Sequence, residues 1–150
     1  MTVDIRRAPA AELDPVTLYR ILELRVQVFI VEQAAAYPDL DGRDIEPGAE
    51  LLWAEEDGRV LATVRVLHEG DAMRIGRVAT ALEARSRGVA STLMRAAVER
   101  CEELAPASPI ELGAQAHLAD WYGRFGFRPT GELYEEDGIP HTGMRRPGLG

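Results

Sequence analysis

The chain has 150 residues, 46% of them hydrophobic and 28% charged, which is the length and composition of a single domain with a substantial core. Its 17 basic residues, all arginines, are outnumbered by 25 acidic ones, and the net charge of −8 argues against a general binder of nucleic acid or anionic membranes. The single cysteine excludes an internal disulfide and a cysteine-rich zinc site, and no apolar run approaches the ~20 residues of a membrane span. We therefore expect one cytoplasmic domain over residues 1–150, without a metal site and without nucleic acid or membrane as a partner.

The first third of the sequence predicts a strand, a helix and a long loop. Residues 3–7 alternate in polarity like a short strand, and Asp14 followed by Pro15 supplies a helix N-cap with proline at the first helical position. Apolar residues at helical spacing then continue to about Val31 and predict an amphipathic helix. The acidic segment 33–50 contains two prolines and two glycines, which indicates a loop long enough to be functional.

The middle of the chain predicts an antiparallel meander. Residues 51–56 and 59–68 are rich in β-prone residues, and the intervening Asp57-Gly58 is typical of a tight hairpin turn because both residues tolerate positive φ angles. Gly70-Asp71 marks a second turn before a third strand, Met73 to Thr80. These three strands should lie side by side in one sheet.

The remaining residues predict alternating helices and strands. The segment from Ala90 to Leu104 places its apolar residues on one helical face, and Pro106 lies just past its end. We then expect a strand over 110–114, a helix over 116–125 ended by Gly126, a strand over 128–134 and a last strand over 141–145. The order of elements predicts an α+β (mixed α/β) domain with helices on the faces of a largely antiparallel sheet.

The most informative stretch joins the third strand of the meander to the central helix and reads Arg85-Ser86-Arg87-Gly88-Val89-Ala90. A glycine-containing turn before a helix leaves several backbone N–H groups unpaired, where the positive end of the helix dipole adds to them. The small residues Gly88 and Ala90 let phosphate oxygens approach the backbone, and Arg85 and Arg87 can add charged hydrogen bonds. The alternative is a glycine that only allows close packing beside surface arginines.

This turn resembles the Q/R-x-x-G-x-G/A pyrophosphate signature of the GNAT N-acetyltransferase superfamily, with Ala90 where glycine is commoner. Farther along, residues 112–118 and 121–127 are similar to the later strand and the tyrosine-containing helix of the same family. Residues 24–33, 37–42 and 134–141 narrow the resemblance to the ElaA-like branch. The resemblance extends from Leu18 to Met144.

The resemblance implies the GNAT acyl-CoA N-acyltransferase fold, a mostly antiparallel sheet that splays between two parallel strands, with acetyl-CoA as the cofactor. The end of the third meander strand would pair with the pantetheine arm, and the amides of residues 87–91 would hold the pyrophosphate. The cofactor-binding residues implied in this way are Val78, Ala79, Thr80, Arg85, Arg87, Gly88, Val89, Ala90 and Ser91.

The resemblance also implies a catalytic tyrosine, because Tyr122 matches the usual general acid of the family. A phenol beside the sulfur can protonate the departing thiolate. The candidates for the base that takes a proton from the attacking amine are Glu32, His117 and His141, and a structural role is the alternative for both histidines. Cys101 falls on the inward face of the central helix and is expected to be a small buried hydrophobe, which favours direct transfer over an acyl-enzyme.

Two acidic loops bear on the acceptor. If they flank the same groove they would attract a cationic amine, whereas a merely solvated acidic surface is the alternative. The residues are Asp39, Asp41, Asp44, Glu46 and Glu50 in one loop and Glu135, Glu136 and Asp137 in the other. We predict transfer of an acetyl group to a primary amine of a small molecule or peptide, and leave open whether the chain forms a homodimer.

Two rival functions remain at this point. One is a non-catalytic acyl-CoA-binding or sensing module, in which the anion-binding turn survives and the chemistry does not. The other is an acyltransferase like the acyl-homoserine-lactone synthases, because the Leu24-Arg25 to Val28-Phe29 segment has a loose counterpart in those enzymes.

Overall fold

The computed structural model describes residues 2–150, which form an eight-stranded sheet with helices on both faces. The strands are β1 (Asp4–Ala8), β2 (Glu50–Glu56), β3 (Arg59–Glu69), β4 (Ala72–Thr80), β5 (Ile110–Gln115), β6 (Arg128–Pro129), β7 (Tyr134–Glu136) and β8 (Ile139–Arg146). The α-helices are α1 (Pro15–Val26), α2 (Val89–Leu104) and α3 (Ala119–Gly123). Within residues 2–150 no helix has the length and apolar character needed to cross a bilayer.

The strand order is β1-β2-β3-β4-β5-β8-β6, and β7 pairs with the remaining part of β8. All neighbouring pairs are antiparallel except β4 and β5, which run parallel. The predicted meander is confirmed, and its Asp57-Gly58 turn has positive φ angles of 52° and 75°. The mixed sheet also confirms the predicted fold class.

Helix α1 begins where its capping residues predict. The Asp14 carboxylate accepts the Thr17 amide N–H at 3.1 Å, and Pro15 occupies the first turn. The helical path extends to Glu32 as expected, but residues 27–32 form a π-helix rather than an α-helix. Such wider turns are rare and are frequently found at functional sites.

Helices α1 and α2 cover opposite faces of the sheet. Ile21 of α1 packs with Leu51 and Trp53, whereas Leu93 of α2 packs in the larger core with Leu52. Because successive side chains of a strand point to opposite faces, these neighbouring residues of β2 divide the core into two layers. Cys101 is buried on the inner face of α2, as predicted.

Strand β4 contains a β-bulge. Thr63 of β3 lies opposite Ala79, while Arg65 lies opposite Gly76, so a single residue of β3 spans two residues of β4. One of these two, Arg77, has a φ of 54°, in the left-handed region that non-glycine residues seldom occupy. The bulge re-aims the last part of β4.

The parallel strands β4 and β5 pair only at their beginnings, where Met73 lies opposite Ile110 and Arg74 opposite Glu111. Beyond these positions the strands separate. From Ile75 to Thr80 the edge of β4 that faces β5 therefore has no partner strand within residues 2–150. The predicted splay between two parallel strands is confirmed, and it creates a gap in the middle of the sheet.

The C-terminal strands differ from the prediction. Residues 128–134 do not form one strand. Strand β6 covers only Arg128 and Pro129, the Thr130 N–H makes one further bond to the Gly143 carbonyl at 2.9 Å, and the chain leaves β8 until Tyr134 begins β7. The last strand is longer than expected and lies inside the sheet, where β8 pairs with β5, β6 and β7. A second Asp-Gly turn, at Asp137-Gly138, joins β7 to β8.

The predicted helix over 116–125 is divided. Residues 116–118 form a 3₁₀ turn, α3 follows, and bonds three residues apart carry the chain to Gly126, whose φ is 90°. The tight turn after β5 orients the short α3 so that its one buried residue, Tyr122, faces the core near the gap.

Candidate active site

The gap between β4 and β5 opens into a cavity of about 510 Å³. Its walls come from the π-helix that follows α1, from both separated strands, from the turn into α3 and from the β7–β8 hairpin. All four predicted catalytic candidates line it, namely Glu32, His117, Tyr122 and His141. The fold thus collects into one cavity residues that are far apart in the sequence.

A second cavity of about 300 Å³ lies at the N-terminus of α2. It shares Thr80, Arg85, Ala90 and Trp121 with the first cavity, so the two adjoin. Most of the predicted cofactor-binding residues line one or both, and the exceptions are Ala79 and Arg87. Ala79 is buried, with 2% of its surface exposed, and lies next to Val78 and Thr80, which do line the larger cavity.

The turn at Gly88 has the open backbone that an anion site needs. Gly88 caps α2 with a φ of 78°, and a Cβ added there would meet no atom within 4 Å. The first intrahelical bond runs from the Thr92 N–H to the Gly88 carbonyl, so the preceding amides of Val89, Ala90 and Ser91 have no intrahelical acceptor. The Arg87 amide, in contrast, already donates to the Ala84 carbonyl at 3.4 Å, which makes it a weaker candidate than predicted.

The arginines around this turn are exposed and held by single carboxylates. Arg85 donates to the Thr80 carbonyl from Nε and Nη2, and its Nη1 lies 2.7 Å from the Glu32 carboxylate. Arg87 makes two hydrogen bonds to Glu56, which raise the pKa of Arg87 and lower that of Glu56. Surface pairs of this kind are weak, so a phosphate can replace the carboxylates.

Arg124 is a further basic residue of this region that the sequence reasoning missed. It is exposed, lines the second cavity beside Ser86 and Gly88, and forms no ion pair within residues 2–150. Its place two residues after Tyr122, at the end of α3, is the signal that could have identified it.

Tyr122 is buried, with 6% of its surface exposed, and its ring contacts Trp121 and Phe127 edge-on at centroid distances of 4.9 and 6.5 Å. Burial raises the pKa of Tyr122 to about 12, so the phenol keeps its proton at neutral pH. Its oxygen has no hydrogen-bond partner within residues 2–150. The oxygen nevertheless keeps some accessible surface, unlike a fully buried polar atom without a partner. The hydroxyl is therefore open to the cavity that its ring lines.

His141 is the imidazole with a defined orientation. Its Nδ1 lies 2.7 Å from the Ile139 carbonyl, and its ring stacks on Tyr134 at 5.8 Å. A proton on Nδ1 donates to that carbonyl and leaves Nε2 as an acceptor, 3.9 Å from the Glu136 carboxylate. His117 is exposed and makes no hydrogen bond within residues 2–150. The Glu32 carboxylate forms an ion pair with Arg85.

The acidic loop at 39–50 does not present free negative charge. Arg25 is fully buried, with 0% of its surface exposed, and binds Asp39 at 3.0 Å and Asp44 at 2.6 Å. We name this group, which links α1, the loop, β3 and β4, the buried arginine network, and its members are Arg25, Asp39, Asp41, Asp44, Arg65 and Arg77. Outside the network, Glu46 pairs with Arg43 and Glu50 with Arg100. The prediction that this loop attracts a cationic acceptor is wrong, because arginines within the chain neutralise all five carboxylates.

The network fixes the β4 bulge. Arg77, the residue with positive φ, reaches Asp39 at 2.9 Å and Asp41 at 3.0 Å. Partial burial opposes the shift, but hydrogen bonds from Arg65 and from the Arg43 amide lower the pKa of Asp41 to about 2. Sequence reasoning missed this role of the arginines. The signal that could have indicated it was the cluster of closely spaced aspartates in a chain whose basic residues are all arginines.

Two glutamines were also missed. The Gln115 amide at the end of β5 donates to the Gln33 side-chain oxygen at 3.1 Å, and both residues line the larger cavity. This neutral bridge joins the end of the π-helix to β5 across the gap. Polar residues that meet only through the splay of the sheet give no local sequence signal.

Comparison with known proteins decides the family. A family model for the acetyltransferase (GNAT) domain matches residues 18–147. The chain belongs to the GNAT acetyltransferase family. Among GNAT relatives, the ElaA protein of Escherichia coli K12 is 41% identical over 139 residues, which cover 91% of each chain. A UPF0039 protein of Mycobacterium tuberculosis is 42% identical over 155 residues, which cover 100% of this chain and 97% of that protein.

Solved GNAT structures agree with this assignment. The crystal structure of Escherichia coli ElaA superposes with a TM-score of 0.92 at 38% identity and covers 97% of this chain and 99% of its own. An acyl-CoA N-acyltransferase from Pseudomonas aeruginosa gives a TM-score of 0.91 at 40% identity with the same coverage. The resemblance to the ElaA-like branch is confirmed, and the family and its solved structures identify this GNAT protein as an acyltransferase.

Proposed function

We propose that this GNAT protein transfers the acetyl group of acetyl-CoA to a primary amine of a small molecule or peptide by direct transfer in a ternary complex. The observation that carries the proposal is the continuity of the two cavities: the open amides at Gly88 and the phenol of Tyr122 lie in adjoining spaces that share Thr80 and Arg85. A diphosphate at the first and a thioester at the second fit one elongated ligand.

The residues around the cavities fit coenzyme A in two respects. The amides of Val89, Ala90 and Ser91 and the nearby arginines suit the pyrophosphate, because charged donors and a helix N-terminus favour anions. The edge of β4 that faces β5 offers backbone N–H and C=O groups to the amides of the pantetheine arm. When bound, acetyl-CoA supplies the thioester that the amine cleaves to give an acetamide and a thiol.

The side chains of the larger cavity divide the proton transfers between them. His141 Nε2 takes a proton from the amine as the C–N bond forms, because its other nitrogen is engaged by the Ile139 carbonyl. A backbone N–H at the end of β4, near Ala79, stabilises negative charge on the carbonyl oxygen. Tyr122 gives its proton to the sulfur as the C–S bond breaks. Tyr122 then regains a proton from solvent, and His141 releases to solvent the proton that it took from the amine.

Replacing Tyr122 tests this assignment. We expect Tyr122→Phe to lower kcat by about 10²- to 10⁴-fold, the usual contribution of a positioned general acid. Coenzyme A binding, measured by calorimetry, should stay unchanged, because the phenol oxygen does not belong to the pyrophosphate turn. Thiol release is followed with a panel of amines, and Tyr19→Phe, at an exposed tyrosine of α1, is the matched control.

Two results would contradict the proposal. A Tyr122→Phe protein with the kcat of the wild type would remove the general acid. A wild-type protein that does not bind coenzyme A in calorimetry would remove acetyl-CoA as the acyl donor.

A further inference from the structure

One arginine that lines the larger cavity has no hydrogen-bond partner in the described part of the chain and is available to bind a ligand. We call the part of the cavity around Arg74, Gly113 and His141 its acceptor end. Four arginines line this cavity: Arg65, Arg74, Arg77 and Arg85. Three of them make hydrogen bonds to aspartates or backbone carbonyls. Arg74 makes none within residues 2–150. Its nearest carboxylate, Glu69, is 3.8 Å away and is bound by Arg43 at 2.8 Å.

Gly113 makes room for the Arg74 guanidinium. A Cβ added to Gly113 of β5 would lie 2.9 Å from the Tyr134 hydroxyl oxygen and 3.5 Å from Arg74 Nη2. Any side chain at this position would therefore displace the phenol and crowd the guanidinium. The absence of a side chain lets two hydrogen-bond donors converge on the same point above β5.

The strand register brings the base candidate to the same face of the sheet. Gly113 lies two residues along β5 from Glu111, the partner of Arg74, and two residues before Gln115, the partner of His141. Since residues two apart share a face, Arg74, Gly113 and His141 lie on one side of the sheet. Tyr134 lies directly opposite His141 and stacks on it, so it reaches from the imidazole to the point above Gly113.

Negative charge lines the same cavity beside His141. Glu136 and Asp137 of the β7–β8 hairpin line the cavity, and neither has an arginine partner within residues 2–150. The cavity therefore offers an available guanidinium and phenol at Gly113, and available carboxylates beside His141. Arg74 would repel a ligand that carries only positive charge, and the carboxylates of the hairpin would repel a ligand that carries only negative charge.

We infer that the acceptor carries a carboxylate in the same small molecule as its amine, as a free amino acid does. Arg74, with the Tyr134 hydroxyl, binds the carboxylate, and the amine lies toward His141 and Glu136. Arginine suits this role because its planar donors match a carboxylate in two parallel hydrogen bonds. The inference rests on the proposed amine acetylation and names the class of its acceptor.

The experiment compares each amino acid of a panel with its own carboxamide, which keeps the amine and removes the negative charge. For wild type we expect kcat/KM to favour the carboxylate by about 10- to 100-fold, the range for a charge-assisted hydrogen bond. Arg74→Gln should abolish that preference. Arg20→Gln, at an exposed arginine of α1, should keep it.

A binding measurement separates this inference from the proposed function. Thermal stabilisation by each amino acid and its amide is measured with coenzyme A present, for wild type and for Arg74→Gln. Stabilisation that needs both the carboxylate and Arg74 supports the subsite even if no acetylation occurs, in which case the proposed function fails alone. Equal response to acid and amide in wild type, no response to either, or a carboxylate preference that survives Arg74→Gln, overturns the inference.

Discussion

The arginines of this chain have two different roles, and the degree of burial of each side chain distinguishes a structural arginine from one that can bind a ligand. In the buried arginine network, Arg25 is fully buried and bonded to two aspartates. At the N-terminus of α2, Arg85 and Arg87 expose 36% and 42% of their side chains and each has a single carboxylate partner. Removing a partner from a buried pair leaves a costly unpaired charge, whereas exposed pairs exchange partners easily. The first region is therefore framework, and the second is free to bind a ligand.

The largest effect should come from the network. Arg25→Met would remove one of the two arginines that bind Asp39 and the closer of the two that bind Asp44, and we expect the free energy of unfolding to fall by about 3–5 kcal/mol, as for other broken buried pairs. Denaturant titration measures this loss. The control is Arg20→Met, which removes an exposed pair with Glu23 on the same helix and should cost under about 1 kcal/mol. Similar losses in the two variants would mean that the network does not act as framework.

A smaller effect should separate the two regions by ligand rather than by stability. Gly88→Ala and Gly42→Ala both place a Cβ at a left-handed residue with open space around it, so each should cost about 1–2 kcal/mol of stability. Only Gly88→Ala obstructs the anion-binding turn, and we expect it to weaken coenzyme A binding by about tenfold, equivalent to ~1.4 kcal/mol.

Calorimetry on the two glycine variants provides the comparison. Equal affinities for coenzyme A in Gly88→Ala and Gly42→Ala would show that the α2 turn does not contact the ligand. The similar loss of stability expected in both variants makes Gly42→Ala a control for strain.

The smallest effect concerns acid. Because the pKa of Asp41 is about 2 in the folded protein against an ordinary 3.8, the unfolded chain binds more protons between these values. The contribution of Asp41 to stability is thus complete above about pH 4 and is lost as the pH falls toward 2. We expect Asp41→Asn to reduce the pH dependence of unfolding in this window, measured by denaturant titration at several pH values.

Asp71→Asn is the control for that series, since Asp71 is exposed in a turn and forms no ion pair within residues 2–150. If Asp41→Asn keeps the steep acid dependence of wild type, the arginines do not stabilise its charge.

Local features of this protein were predictable from sequence because a few adjacent residues determine them. The Asp14-Pro15 start of α1, the Asp57-Gly58 hairpin and the Gly88 turn are of this kind. The buried network was not predictable, because Arg25, Asp39 and Arg77 meet only after α1 packs on the bulged sheet. The acceptor end of the cavity was not predictable either, because Arg74, Gly113 and His141 come together only when the sheet forms.

The position of the C-terminal strands was also not predictable from local sequence. Residues 141–145 gave only a weak strand pattern, yet β8 lies between β5 and β6 inside the sheet, where both of its edges are paired. Its position depends on the Asp137-Gly138 turn and on partners contributed by three other strands. Of the catalytic candidates, Tyr122 was identified by its motif, whereas the orientation of His141 required β8 to be placed.

The shared use of Asp39 by Arg25 and Arg77 has a consequence for redesign. A change of length in the 39–44 loop would pull on the bulge of β4, and so on the strand edge assigned to the pantetheine arm. The tip of the β7–β8 hairpin, where the exposed Glu136 and Asp137 line the cavity, has no such attachment. Engineering toward new acceptors should therefore vary the exposed hairpin residues Glu135, Glu136 and Asp137, leave Tyr134 and His141 in place, and keep the 39–44 loop intact.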